Sequence, residues 1–155
     1  MARLGVTTDL TRRTVLSSAA ASALAAVLLP GMALADPETL QREIWRLMGD
    51  KKHLDGRINL ETPELAENGA VVPVRISVAS PMTENDYVRA IHLLVDENPW
   101  PTIASFQFMP GAGKADIRTR VRMARTLHVY AFAELNDGRV FRAIRKVDVT
   151  IGGCS

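Results

Sequence analysis

The chain has 155 residues, of which 19 are basic and 17 acidic, and a single cysteine. Arg3, Arg12 and Arg13 stand against Asp9 in the first 35 positions, so the rest of the chain is electrically balanced and net charge gives no support to nucleic-acid or other polyanion binding. One cysteine excludes an internal disulfide, and the length suits one domain behind a leader.

Arg12-Arg13 precedes an uncharged run from Thr14 to Leu29, and Ala33-Leu34-Ala35 supplies the small residues that a signal peptidase needs. The pattern predicts an export signal over residues 1–35, cleaved after Ala35. The paired arginines followed by Val15-Leu16 fit the twin-arginine type, which exports folded proteins to the periplasm. The apolar run carries Ser17, Ser18 and Ser22 and falls short of the ~20 residues that span a bilayer, so no stable membrane anchor is expected.

The mature chain opens with Asp36-Pro37-Glu38, an N-cap followed by proline and an early acid, and Leu40, Ile44, Leu47 and Met48 then recur at helical spacing. This predicts an amphipathic helix from Pro37 to about Gly49, with Trp45 either in the core or available to a partner. From Ile58 the period changes to two. Val72, Val74, Ile76 and Val78 alternate, with Pro73 placed near a strand start or edge because it cannot donate to a ladder. Tyr87 to Val95 and Thr102 to Met109 are further runs, each closed by prolines, and Gly111-Ala112-Gly113-Lys114 reads as a hairpin turn rather than a phosphate loop. Ala115, Ile117, Thr119, Val121 and Met123 face one way while Asp116, Arg118, Arg120 and Arg122 face the other. Leu127 to Ala133 continues the alternation to Asn136-Asp137-Gly138, a tight-hairpin signal, and Val140 to Ile151 forms the return strand. About seven short strands at this spacing predict an all-β, immunoglobulin-like antiparallel sandwich over residues 36–151, with one short helix leading in.

Few residues carry recognisable chemistry. His53, His92 and His128 lack metal-ligand spacing and read as structural, so no metal is expected; no haem motif, phosphate loop or nucleophile elbow occurs, and no cofactor or catalytic residue is assigned. Arg118, Arg120 and Arg122 place three guanidinium groups on one sheet face, which is either solvated or able to bind an anion or an acidic partner. What remains is the terminus, Ile151-Gly152-Gly153-Cys154-Ser155. Paired glycines have wide backbone freedom, so residues 152–155 read as a flexible arm that carries one thiol into the pocket of another protein. A different reading is an exported interaction module whose cysteine forms an intermolecular disulfide. A thiol enzyme is disfavoured, because no histidine or arginine is adjacent in sequence to activate Cys154.

Taken together, Glu67-Asn68-Gly69 followed by Val72-Pro73-Val74, then Ser80-Pro81-Met82-Thr83, Asn98-Pro99-Trp100-Pro101, Phe106 to Pro110, Thr119-Arg120-Val121-Arg122, Asp137-Gly138 and Val149 to Cys154 resemble the SoxY family of sulfur carriers. The resemblance covers nearly the whole mature domain. It implies covalent attachment of thiosulfate-derived sulfur at Cys154, a heterodimer with a second small sandwich protein of the SoxZ kind, and visits to a c-type cytochrome, a dimanganese hydrolase and a molybdenum and haem dehydrogenase. The family usually ends Gly-Gly-Cys-Gly-Gly, whereas Ser155 follows the cysteine here; the carboxylate then lies closer to the sulfur, which disfavours the thiolate. For the partner surface, the strand Val72 to Val78 and the loop Ser80 to Thr83 are expected.

Overall fold

The computed structural model describes residues 37–150. Helix α1 (Pro37–Met48) starts at its proline, carries Glu38 in its first turn and Arg46 in its last, and ends where Gly49 turns to φ 66°. Of the predicted stripe, Leu40, Ile44 and Met48 are buried and Leu47 is partly buried, while Trp45 is 69% exposed and therefore outside the core.

Nine strands follow among the described residues: β1 (His53–Leu54), β2 (Ile58–Glu61), β3 (Leu65–Ala66), β4 (Val72–Val78), β5 (Val88–Val95), β6 (Thr102–Gln107), β7 (Ala115–Val121), β8 (Leu127–Leu135) and β9 (Val140–Val149). They build a large sheet in the order β1-β9-β8-β5-β6, with β3 also on β9, and a small sheet in the order β2-β4-β7. The two sheets form a β-sandwich. Its core holds Val72, Val74 and Ile76 from the small sheet and Ile91, Leu93, Val129 and Ala131 from the large one.

Seven of these strands are longer than two residues, as the alternation predicts, and the Asp-Gly hairpin joins β8 to β9 with Gly138 at φ 86°. Two expectations change. The sandwich is not wholly antiparallel, because β1 and β3 pair parallel with β9. Strands of two residues show no period, so nothing in the sequence announces them. The Gly111 to Lys114 segment is also not a hairpin: β6 pairs with β5, β7 pairs with β4, and the segment crosses from one sheet to the other. Gly111 and Gly113 do turn the chain, at φ 79° and 85°, but a turn signal fixes a change of direction and not the neighbour of the next strand.

Pro73 stands in β4, the central strand of the small sheet, yet β2 runs out at the Glu61 and Arg75 pair. That flank of β4 is therefore free at Pro73, and the missing donor disrupts no ladder there. A second core lies outside the large sheet, where Leu40, Ile44 and Met48 of α1 pack on Leu94, Phe132 and Val140.

Candidate functional site at the root of the C-terminal arm

Gly152, Gly153, Cys154 and Ser155 lie outside the described residues, as do Arg12, Arg13 and the predicted cleavage point after Ala35. What the structure defines is the anchorage from which the arm departs. The β8 ladder leaves β9 at the Leu127 and Val147 pair, and beyond it the Thr126 hydroxyl takes over, accepting from the Val149 N–H at 3.1 Å. On the opposite edge β3 runs parallel with Asp148 and Val149. The Asp148 N–H donates to the Glu64 carbonyl at 2.9 Å, and the Thr150 N–H donates to the Ala66 carbonyl at 3.1 Å. The Thr150 hydroxyl donates to that same carbonyl at 3.4 Å.

A third contact closes the root. A Cβ on Gly69 would lie 2.2 Å from the Met123 carbonyl oxygen and 2.8 Å from Val149 Cγ1, so only glycine lets these three segments meet. The Met123 N–H donates to the Gly69 carbonyl at 2.7 Å. The last described residues are thus held from both edges and from above. Five residue steps separate Val149 from Cys154, and covalent geometry limits their span to roughly 17 Å at ~3.4 Å per residue. Leu65 of β3, paired with Asp148 at this root, is 54% exposed.

The three histidines take structural places. His92, buried on β5, shares a hydrogen bond with Ser105 Oγ at 2.8 Å; burial holds its pKa below the ordinary imidazole value, with Arg89 and Arg46 pushing the same way and Glu134 opposing. His53 meets the Phe132 ring edge-on at 5.0 Å, and burial with the nearby Arg142 lowers its pKa too. His128 Nδ1 lies 2.7 Å from Asp96. Among the described residues no group of three or more histidine, cysteine or carboxylate side chains is placed to hold a metal, and no helix is long and apolar enough to cross a membrane. The run from Thr14 to Leu29 lies outside them.

One buried group escaped the sequence reading. Glu134 on β8 is 4% exposed at its side chain and takes ion pairs from Lys51 and from Arg89, the latter at 2.7 Å. Burial alone would raise its pKa; the hydrogen bonds from Lys51 and Arg89 outweigh this and keep it ionised. A lone carboxylate within Ala131-Phe132-Ala133-Glu134-Leu135 was the available signal. Arg118 and Arg120 project from the outer face of β7, and Arg122 follows it, all exposed as predicted.

The sequence profile of the sulfur oxidation protein SoxY matches residues 44–154. This chain belongs to the SoxY family. The match ends on Cys154 and takes in both arm glycines, while Ser155 falls beyond it. Among solved structures, the sulfur carrier protein SoxY from Chlorobium limicola f thiosulfatophilum is similar at 31% identity and a TM-score of 0.63, covering 75% of this chain and 100% of that one. Superoxide reductases share the fold at lower identity. The neelaredoxin from Ignicoccus hospitalis has 21% identity, a TM-score of 0.56 and coverage of 61% and 81%, and the Nanoarchaeum equitans enzyme has 11%, 0.53, and 63% and 99%. No curated protein sequence matches significantly. The SoxY assignment agrees with the β-sandwich observed and with the resemblance read from the residues.

Proposed function

We propose that this protein is a periplasmic sulfur carrier that holds thiosulfate-derived intermediates covalently on Cys154 and presents them to separate enzymes during oxidation to sulfate. The observation that carries the reading is the family match ending on the only cysteine, five residues beyond a strand end held from both edges. Cys154 is the attachment residue, Gly152 and Gly153 with Ser155 make the arm, and the chain itself catalyses nothing. Export through the twin-arginine signal delivers it folded, paired with a second sandwich subunit of the SoxZ kind.

The chemistry divides accordingly. The Cys154 thiolate bonds to the outer sulfur of thiosulfate, and the electron pair released goes to a c-type cytochrome. Water then cleaves the bond to the terminal sulfonate on a dimanganese hydrolase, leaving a persulfide on the carrier and hydrogensulfate in solution. A molybdenum and haem dehydrogenase oxidises the remaining sulfane sulfur. A free persulfide would be lost or reduced between such steps, so the tether keeps the intermediate with its next enzyme.

The deciding measurement is the intact mass of the protein taken from the exporting cell, with and without reductant. Adducts of sulfur or thiosulfate mass on Cys154, removed by reductant and absent from Cys154→Ser, are expected. Finding only free thiol and covalent dimer would overturn the carrier and favour a disulfide-linked interaction module.

A further inference from the structure

The arginine row that begins on β7 enters no step of the carrier reading, and its surroundings bear on what it is free to do. The outer face of the small sheet carries acids at Glu61 and Asp116, and both are taken by Arg75, at 3.6 Å and 2.6 Å. The Asp116 carboxyl is held below its usual range first by the Arg75 hydrogen bonds, with Arg118 and Lys114 adding attraction. Among the described residues Arg118, Arg120 and Arg122 make no hydrogen bond and no ion pair. Arg118 lies across the ladder from Arg75, and Arg120 from Pro73. A groove of about 810 Å³ on this face is lined by Glu61, Pro63, Pro73, Arg75, Arg118 and Arg120 among others.

The row also has a direction. Alternate residues on a strand stand ~6.7 Å apart, which sets the backbone spacing of Arg118 and Arg120, and Arg122 follows directly after the end of β7. Arg122 directly precedes Met123, whose carbonyl lies against Gly69 together with Val149. The cationic strip therefore ends at the root of the arm.

We propose that this strip is the docking surface for an acidic rim around the pocket of the enzyme that receives the arm. The inference rests on the carrier reading. Charge decides the occupant: Arg75 is shared by two carboxylates, so Arg118, Arg120 and Arg122 turn the face net positive; that complements a row of carboxylates, and two copies of this chain brought together through it would repel. A small anion is a poor fit, because Arg118 and Arg120 rise from the outer face of β7, Arg122 lies just past its end, and all three are exposed. Exposed ion pairs each contribute little to affinity, but a row of them speeds encounter and orients it, and the attraction fades over a Debye length of ~10 Å at 0.1 M salt. Fast, weak, salt-sensitive docking suits a carrier that must leave each enzyme after one step.

The test uses the full mature chain loaded with thiosulfate on Cys154, and the dimanganese hydrolase purified from the same cells. In the combined variant Arg118→Gln, Arg120→Gln, Arg122→Gln, the KM for loaded carrier should rise about tenfold, kcat should stay within about twofold, and the salt dependence of kcat/KM should flatten. Replacing the same three by lysine should keep most of the wild-type KM, and alkylation of the unloaded Cys154 by iodoacetamide should be unchanged in both variants. A polyglutamate peptide should compete. An unchanged KM and salt slope in the glutamine variant would overturn the docking strip, as would inhibition by sulfate beyond that of chloride at equal ionic strength, which would assign the arginines to a small anion. Wild-type carrier that the hydrolase does not process would overturn the carrier reading itself.

Discussion

The two sheets of this sandwich are made differently, and the contrast assigns them different work. The small sheet buries one face only: β4 and β7 alternate inward and outward, and the outward positions hold Pro73, Arg75, Arg118 and Arg120. The large sheet is covered twice, since the small sheet packs on one face and α1 on the other, so β5 and β8 run nearly continuously buried. On β5 and β8 most outward-facing residues are thus buried and structural, whereas on the small sheet they stay available. The arm leaves from β9 of the covered sheet and emerges beside the end of β7, so a rigid base and a bare binding face meet at the thiol's root.

The sharpest way to break this comparison is at Phe132, which faces outward on the large sheet, is 1% exposed, and packs beneath α1 and against His53. Phe132→Ala should cost about 3–5 kcal/mol through lost burial and the cavity left behind. Thermal unfolding should drop by more than about 10 °C, at roughly 4–8 °C per kcal/mol for a domain of this size. A loss below about 1 kcal/mol would mean that the helix is not a structural layer.

The root of the arm comes next. Gly69→Ala places a methyl against a backbone oxygen at 2.2 Å, a contact no side-chain rotation relieves, so about 1–3 kcal/mol should be lost. Gly69 is not among the glycines with positive φ, so the loss would report the packing clash less the stabilisation, about 0.4–1 kcal/mol, that alanine gives by stiffening the unfolded chain. Urea unfolding measures the loss, and the yield of sulfur adduct on Cys154 in the same variant shows whether the arm's presentation moves with its root. A neutral or stabilising substitution would show that the three segments are not tightly joined.

A smaller effect comes from the covered sheet's histidines. Burial lowers the pKa of both His53 and His92 in the folded protein, so between the ordinary value of about 6.5 and the lowered one the unfolded chain binds more protons. Their contribution is complete above about pH 6.5 and falls as pH drops toward the folded pKa values. The urea midpoint should accordingly decrease from about pH 7 to pH 5, and His92→Gln should flatten the slope. A midpoint constant across that range would remove burial as the controlling influence on these rings.

Much of this division was legible in the residues. Strict alternation through Val72 to Val78 and Ala115 to Val121 announces a sheet with one wet face, and it placed the arginines correctly. The stripe Leu40, Ile44, Met48 announces a helix but not its seat, which follows from Leu94 and Phe132 being apolar on the face that their neighbours' alternation leaves for solvent. β1 and β3 were illegible because a two-residue strand is defined by its partner, β9, more than eighty positions away in each case. The arm was read from two glycines and one thiol, and it lies outside the described residues. Its clamp was not legible, because Ala66, Gly69, Met123 and Thr126 reach Val149 and Thr150 only after the sandwich closes.

The smallest effect is the most discriminating. Arg120 is exposed, makes no ion pair among the described residues, and stands in sequence between Arg118 on β7 and Arg122 just past its end, opposite Pro73 on the next strand. Removing it takes away no hydrogen bond and relieves some like-charge repulsion. Arg120→Ala should therefore leave stability within about 0.5 kcal/mol, on the stabilising side at low salt, with the difference shrinking as salt screens the row. Urea unfolding at low and high ionic strength measures both sign and screening. A loss above about 1 kcal/mol would place Arg120 in the framework and end the idea that the small sheet's outer face is held in reserve for partners. A null result on stability, alongside slower processing of the loaded carrier, would separate binding from folding on this face, as Phe132 joins covering to folding on the other.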